Sequence, residues 1–93
     1  MENKPVEQGD YGIVKVAKGK LKGKIGYYDD DEGKQAVVYF DEPFGNEGYY
    51  IRLSSLVKTN ERMPGYENWV RKHPDIAKMV GVPIPGILKN EGL

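Results

Sequence analysis

Lys18, Lys20, Lys22 and Lys24 recur at every second position, with Gly19 and Gly23 set between them. Four ammonium groups on a short segment punctuated by glycine suit contact with phosphates, because glycine leaves the backbone unobstructed and each neutralised phosphate releases counterions. The same cluster, with Lys15 just ahead of it, also suits a solvated loop or a contact with another protein. Tyr27, Tyr28, Tyr39, Tyr49 and Tyr50 make the neighbouring segments aromatic. Rings beside lysines can stack on unpaired bases. Adjacent residues of a strand point to opposite faces, so one ring of each pair is expected in the core and the other wet or covered by the tail. Tyr28 and Tyr49 are the stacking candidates, with simple packing as the alternative.

Other chemistries are poorly supplied. There is no cysteine, hence no disulfide, no thiolate nucleophile and no Cys-containing zinc set. His73 is the only histidine, and its place before Pro74-Asp75 reads as a helix boundary. Asp29-Asp30-Asp31-Glu32-Gly33 begins like a calcium loop. Counted from Asp29, however, the obligatory glycine falls on Lys34 and the bidentate glutamate on Phe40, which excludes an EF-hand. The acidic run reads instead as a solvated hairpin turn, with loose metal binding or contact to a basic partner as alternatives. Ser54 and Ser55 lack the G-x-S-x-G setting of an activated serine. The chain is therefore expected not to be an enzyme and to need no cofactor or metal.

Fourteen basic and fourteen acidic residues cancel, unlike the excess of positive charge common in nucleic-acid binders. Their distribution is uneven. Residues 1–28 carry six lysines against three acids, residues 29–47 carry seven acids against Lys34, and residues 48–93 carry seven bases against four acids. The polar start MENKPVEQGD lacks the apolar core of a signal peptide, and no run approaches the roughly 18 apolar residues of a membrane span. A cytoplasmic protein without membrane contact is the expectation.

Hydrophobic residues at 39% and charged residues at 30% fit a folded domain rather than a chain disordered throughout. The spacing predicts strands over residues 11–17, 25–28, 35–40, 49–53 and 56–58, with a glycine-bounded turn after the first. The acidic run should end the second strand near Tyr28, and Asp41-Glu42-Pro43-Phe44-Gly45-Asn46 should close the third. Val14, Val16, Ile25, Val38, Phe40, Leu53 and Leu56 are expected inside. Residues 1–8 read as a flexible leader and 59–65 as a linker. Residues 66–93 read as an apolar tail. In it, Trp69, Ile76 and Val80 have helical spacing, Pro74 divides two short helices at His73, and residues 82–88 are extended. That tail either packs on the strands or grips a partner protein, with Trp69, Ile76 and Val80 as the partner-binding candidates.

Gly19-Lys20-Leu21-Lys22-Gly23-Lys24-Ile25-Gly26, preceded by Val14-Lys15-Val16, resembles the KOW motif of bacterial transcription elongation factors and large-subunit ribosomal proteins. Gly9-Asp10 and Tyr50–Leu56 look like the start and finish of such a domain. The resemblance implies a mainly β fold, a small five-stranded SH3-like barrel over residues 9–58; it does not reach the short C-terminal helical tail, which is read from spacing alone. It also implies a non-enzymatic binding module that meets RNA or a nucleoprotein assembly through Lys18, Lys20, Lys22 and Lys24. The alternative is a protein-interaction adaptor, including a small regulator or inhibitor encoded by a mobile element, that acts through the acidic hairpin or the apolar tail.

Overall fold

Alternation of β-branched and polar residues shapes the first two-thirds of the chain. The computed structural model describes residues 4–41, 47–82 and 84–92. Among these, Gly12–Val16 (β1), Ile25–Glu32 (β2), Gln35–Tyr39 (β3), Tyr49–Arg52 (β4) and Leu56–Lys58 (β5) form one antiparallel sheet of order β4-β3-β2-β1-β5. The fold is mainly β with short helices, as expected. β4 and β5 lie at opposite edges, yet only the 3-10 turn Leu53–Ser55 joins them. A flat sheet would hold those edges about 19 Å apart at about 4.8 Å per strand. Four residues reach at most about 14 Å. The sheet is therefore strongly curled.

β2 does not stop near Tyr28 but runs on to Glu32, and the turn shrinks to Gly33-Lys34. Gly33 supplies the positive φ of 63° that this tight reversal needs. Asp30, Asp31 and Glu32 fit a strand because their side chains find solvent or partners. Asp31 accepts hydrogen bonds from the hydroxyls of Tyr11 (2.8 Å) and Tyr28. A bulge at Asp29 interrupts the register between Tyr28↔Val38 and Asp30↔Val37. The expected turn at Asp41–Asn46 lies, beyond Asp41, outside the described residues.

Each face of the sheet carries an apolar cluster. On the inner face Val14, Val16, Tyr28, Ala36, Val38 and Leu56 form one cluster. Val6 joins it, Pro5 bridges to Val57, and the Lys58 N–H donates to the Lys4 carbonyl at 2.7 Å. Residues 4–8 are thus docked rather than flexible, because Val6 has a core to enter; residues 1–3 are outside the described residues. Of the expected core, Phe40 and Leu53 are only half-buried at the rim of this cluster, and Ile25 faces the other one.

The second cluster lies on the outer face. Pro64–Lys72 (α1), Pro74–Val80 (α2) and Gly86–Lys89 (α3) bring Met63, Tyr66, Val70, Ala77, Val82 and Leu88 onto Tyr27, with Ile13, Ile25 and Trp69 around them. The tail thus packs on its own sheet. The break at His73 is as expected: Pro74 has no N–H to continue α1 and instead starts α2. Gly81, in the left-handed region at φ 76°, ends α2. Two expectations are corrected. The linker is shorter, because α1 begins at Pro64, and a Cβ on Gly65 would overlap the Asp41 carbonyl oxygen. Residues 82–88 are not extended throughout, since burial of Leu88 draws residues 86–89 into a helical turn; Pro83 is outside the described residues.

Candidate nucleic-acid interface

The loop between β1 and β2 carries the lysines on a fixed frame. Val16 N–H donates to the Lys24 carbonyl (2.9 Å), Gly23 N–H to the Val16 carbonyl (2.8 Å) and Ala17 N–H to the Ser55 carbonyl (2.7 Å). Gly19 and Gly23 have φ of 88° and 92°, which residues with a Cβ resist. Leu21 turns inward against the inner cluster. The loop is therefore anchored at its base and by one apolar side chain, while Lys18, Lys20, Lys22 and Lys24 are all exposed.

The four lysines do not act as one patch. Lys18 and Lys20 line a depression of about 350 Å³ together with Tyr50 and Arg52 of β4, with Leu21 in its wall. Arg52 continues into a neighbouring hollow of about 650 Å³ that also holds Lys34 and Ser54. Lys22 lines neither. The Lys24 ammonium stands 5.7 Å from the Phe40 ring centroid, and that ring meets Tyr49 edge-on at 5.2 Å. Lys24 and Tyr49 thus share a second, smaller patch through Phe40. Lys15 is tied to Glu61 at 2.7 Å.

The expectation of one core ring and one wet or tail-covered ring in each pair holds at Tyr27-Tyr28 and fails at Tyr49-Tyr50. Tyr27 and Tyr28 point to opposite faces, where helices cover the one ring and the inner cluster the other, so both rings are buried. Tyr28 is wholly enclosed, and its hydroxyl accepts from the Gly9 N–H at 3.1 Å. It is a core residue and presents no ring to a base. Tyr49 and Tyr50, on edge strand β4, are both exposed. The Glu32 carboxylate accepts a hydrogen bond from the Tyr50 hydroxyl and holds its proton above the usual phenol range.

Tyr50 and Arg52 are the site residues that the charge pattern alone does not single out. The signal was their spacing of two on one strand, which puts both on one face; the register Gln35↔Arg52 then carries them to the end of the sheet where the loop sits.

The partner-binding candidates also separate. Trp69 is half-buried beside the outer cluster, whereas Ile76 and Val80, with Met79, are exposed on α2. The break at Pro74 resets the helical phase, so the interval of seven from Trp69 to Ile76 does not place them on a common face.

Among the described residues, no group of three His, Cys, Asp or Glu side chains could hold a metal, and no helix is long and apolar enough to cross a membrane. Comparisons with protein-family models, curated proteins and solved structures find no match.

Proposed function

We propose that this chain is a small non-enzymatic binding module of the SH3-like, KOW type that contacts RNA, free or within a nucleoprotein assembly, through its lysine loop. The convergence of Lys18, Lys20 and Arg52 on one concave surface carries the reading, since three cations from two elements offer a phosphate backbone a fixed contact. The barrel assignment is supported by the curled sheet, by β1 pairing with both β2 and β5, and by the single 3-10 turn between β4 and β5. A cytoplasmic setting accords with such a role. Fluorescence titration with RNA at several salt concentrations tests it. Three phosphate contacts give a log–log slope of about −2, and changing Lys18, Lys20 and Arg52 together to Gln flattens that slope with the fold intact. No binding at low salt, or binding indifferent to these changes, removes the RNA reading.

A protein-interaction adaptor is the second reading, favoured by one observation. Ile76, Met79 and Val80 form an exposed apolar strip on α2 that the protein's own core leaves uncovered. Capture of a partner that persists after nuclease treatment and is lost with Met79→Asp puts this reading first.

A further inference from the structure

We infer that the site takes single-stranded rather than duplex nucleic acid, one unstacked nucleotide at a time, with Tyr50 as the ring against which the base lies and Glu32 as the group that turns a second strand away. This rests on the RNA reading above and specifies its ligand.

The depression at Lys18, Lys20, Tyr50 and Arg52 has a volume of about 350 Å³, the low end of small-ligand pockets. It is concave and partly apolar, with Leu21 in its wall, and a base released from its stack presents an apolar face of that kind. Tyr50 is 56% exposed, so its ring is available to a base. An exposed aromatic beside three cations is the arrangement that single-strand binders use, stacking for the base and charge for the backbone.

The acids exclude the duplex. Along the outer face, the register sets Glu32 opposite Gln35 and Gln35 opposite Arg52, and sets Asp30 opposite Val37 and Val37 opposite Tyr50. Each acid therefore stands two strand spacings, about 10 Å, from its basic or aromatic counterpart. Duplex grooves are about 6–12 Å wide, so a strand seated at Lys18, Lys20 and Arg52 would bring its complement's phosphates over Asp30 and Glu32. That separation is about one Debye length, close enough for the repulsion to be felt. A lone strand has no such second row.

The test is anisotropy of labelled oligonucleotides of about ten nucleotides, as single-stranded RNA, single-stranded DNA and a duplex of the same sequence, in moderate salt. The expected result is single-strand binding at least about tenfold tighter than duplex binding. Tyr50→Ala should lower single-strand affinity about tenfold without changing the salt slope, and Tyr50→Phe should restore it, because stacking needs the ring and not the hydroxyl. Glu32→Gln should strengthen duplex binding and leave single-strand binding within about twofold. The RNA and DNA arms decide whether the 2′-hydroxyl is read. Equal affinity for duplex, or single-strand binding indifferent to Tyr50→Ala, overturns this inference while the RNA reading stands. Absence of binding to every oligonucleotide overturns both.

Discussion

The two hydrophobic clusters sit back to back on one sheet and are built by different means. The inner one draws on β1, β2, β3, β5 and Val6, all held by the backbone ladder, so its side chains are gathered by the same hydrogen bonds that make the sheet. The outer one draws one sheet residue, Tyr27, against six residues from the chain after Thr59. Helices of nine, seven and four residues are too short to persist alone, where about 12–15 are needed. They are helical because they are docked. The difference teaches an order of dependence: the helical layer needs the sheet, whereas the sheet needs the layer mainly to cover Tyr27, Ile13 and Ile25.

Five changes break or sharpen that contrast. Tyr28→Ala should have the largest effect, because it empties the centre of the inner cluster and removes the hydroxyl that joins Gly9 to Asp31. A loss of about 3–5 kcal/mol is expected, with sheet and helices melting together in a urea titration followed by circular dichroism. Tyr66→Ala should come next. Its ring stacks on Tyr27 at 4.9 Å with 24° between planes. Helical signal and the burial of Trp69 should be lost while amide protection in β1–β3 survives. Ending the chain after Thr59 should do the same, lowering the melting temperature and exposing apolar surface to a hydrophobic dye. If the sheet collapses in both cases, the two clusters form one cooperative unit and the proposed order fails.

Arg62→Ala should be milder, at about 1–2 kcal/mol. Arg62 grips the buried Glu67 of α1 with two hydrogen bonds, at 3.1 and 2.5 Å, and its guanidinium holds that carboxyl below the ordinary range. A lowered folded-state pKa gives stability that is present above the unfolded value and lost as pH falls. Acid titration of the melting temperature should therefore be steeper in the parent than in the variant.

Asp29→Asn should have the smallest effect and the opposite sign. Burial, and then the charge of Asp30, push the Asp29 carboxyl up from 3.8 to about 6, and its Oδ1 is buried with no hydrogen-bond partner among the described residues. The folded state thus binds this proton more tightly than the unfolded one. That contribution is full below about pH 4 and is lost as pH rises through about 6. The variant should melt about 4 °C higher than the parent at about pH 7.5 and show no advantage at about pH 4. An advantage that persists in acid would mean that the bulge, and not the charge, is what Asp29 strains.

Much of the sheet was legible because its cause is local. Val14 and Val16 alternate with Lys15, Val38 sits in the β-rich run of residues 35–40, and Gly19, Gly23 and Gly33 mark turns by their own conformational freedom. What escaped depended on pairing across the chain. Nothing near Asp29 says that four carboxylates can continue a strand; that follows from Tyr11 and Tyr28 reaching Asp31. Gly65 looked like linker punctuation, but it is where α1 passes too close to Asp41 for any side chain. The lysines were visible as charge, whereas their division into two patches was not, because it depends on which lysine the curled sheet brings to Arg52.

The seam between β1 and β5 has a consequence in time. Val16 and Leu56, which face each other there, are 40 residues apart in sequence, while β2 and β3 are joined through Gly33-Lys34 alone and β3 and β4 through residues 40–48. Closing so long a loop is entropically dear, and such pairings form late. The Ala17–Ser55 hydrogen bond that seats the base of the lysine loop belongs to that late seam. The surface formed by Lys18, Lys20 and Arg52 is therefore expected to be assembled last, so that a nascent or partly folded chain carries the positive charge without the shape that directs it.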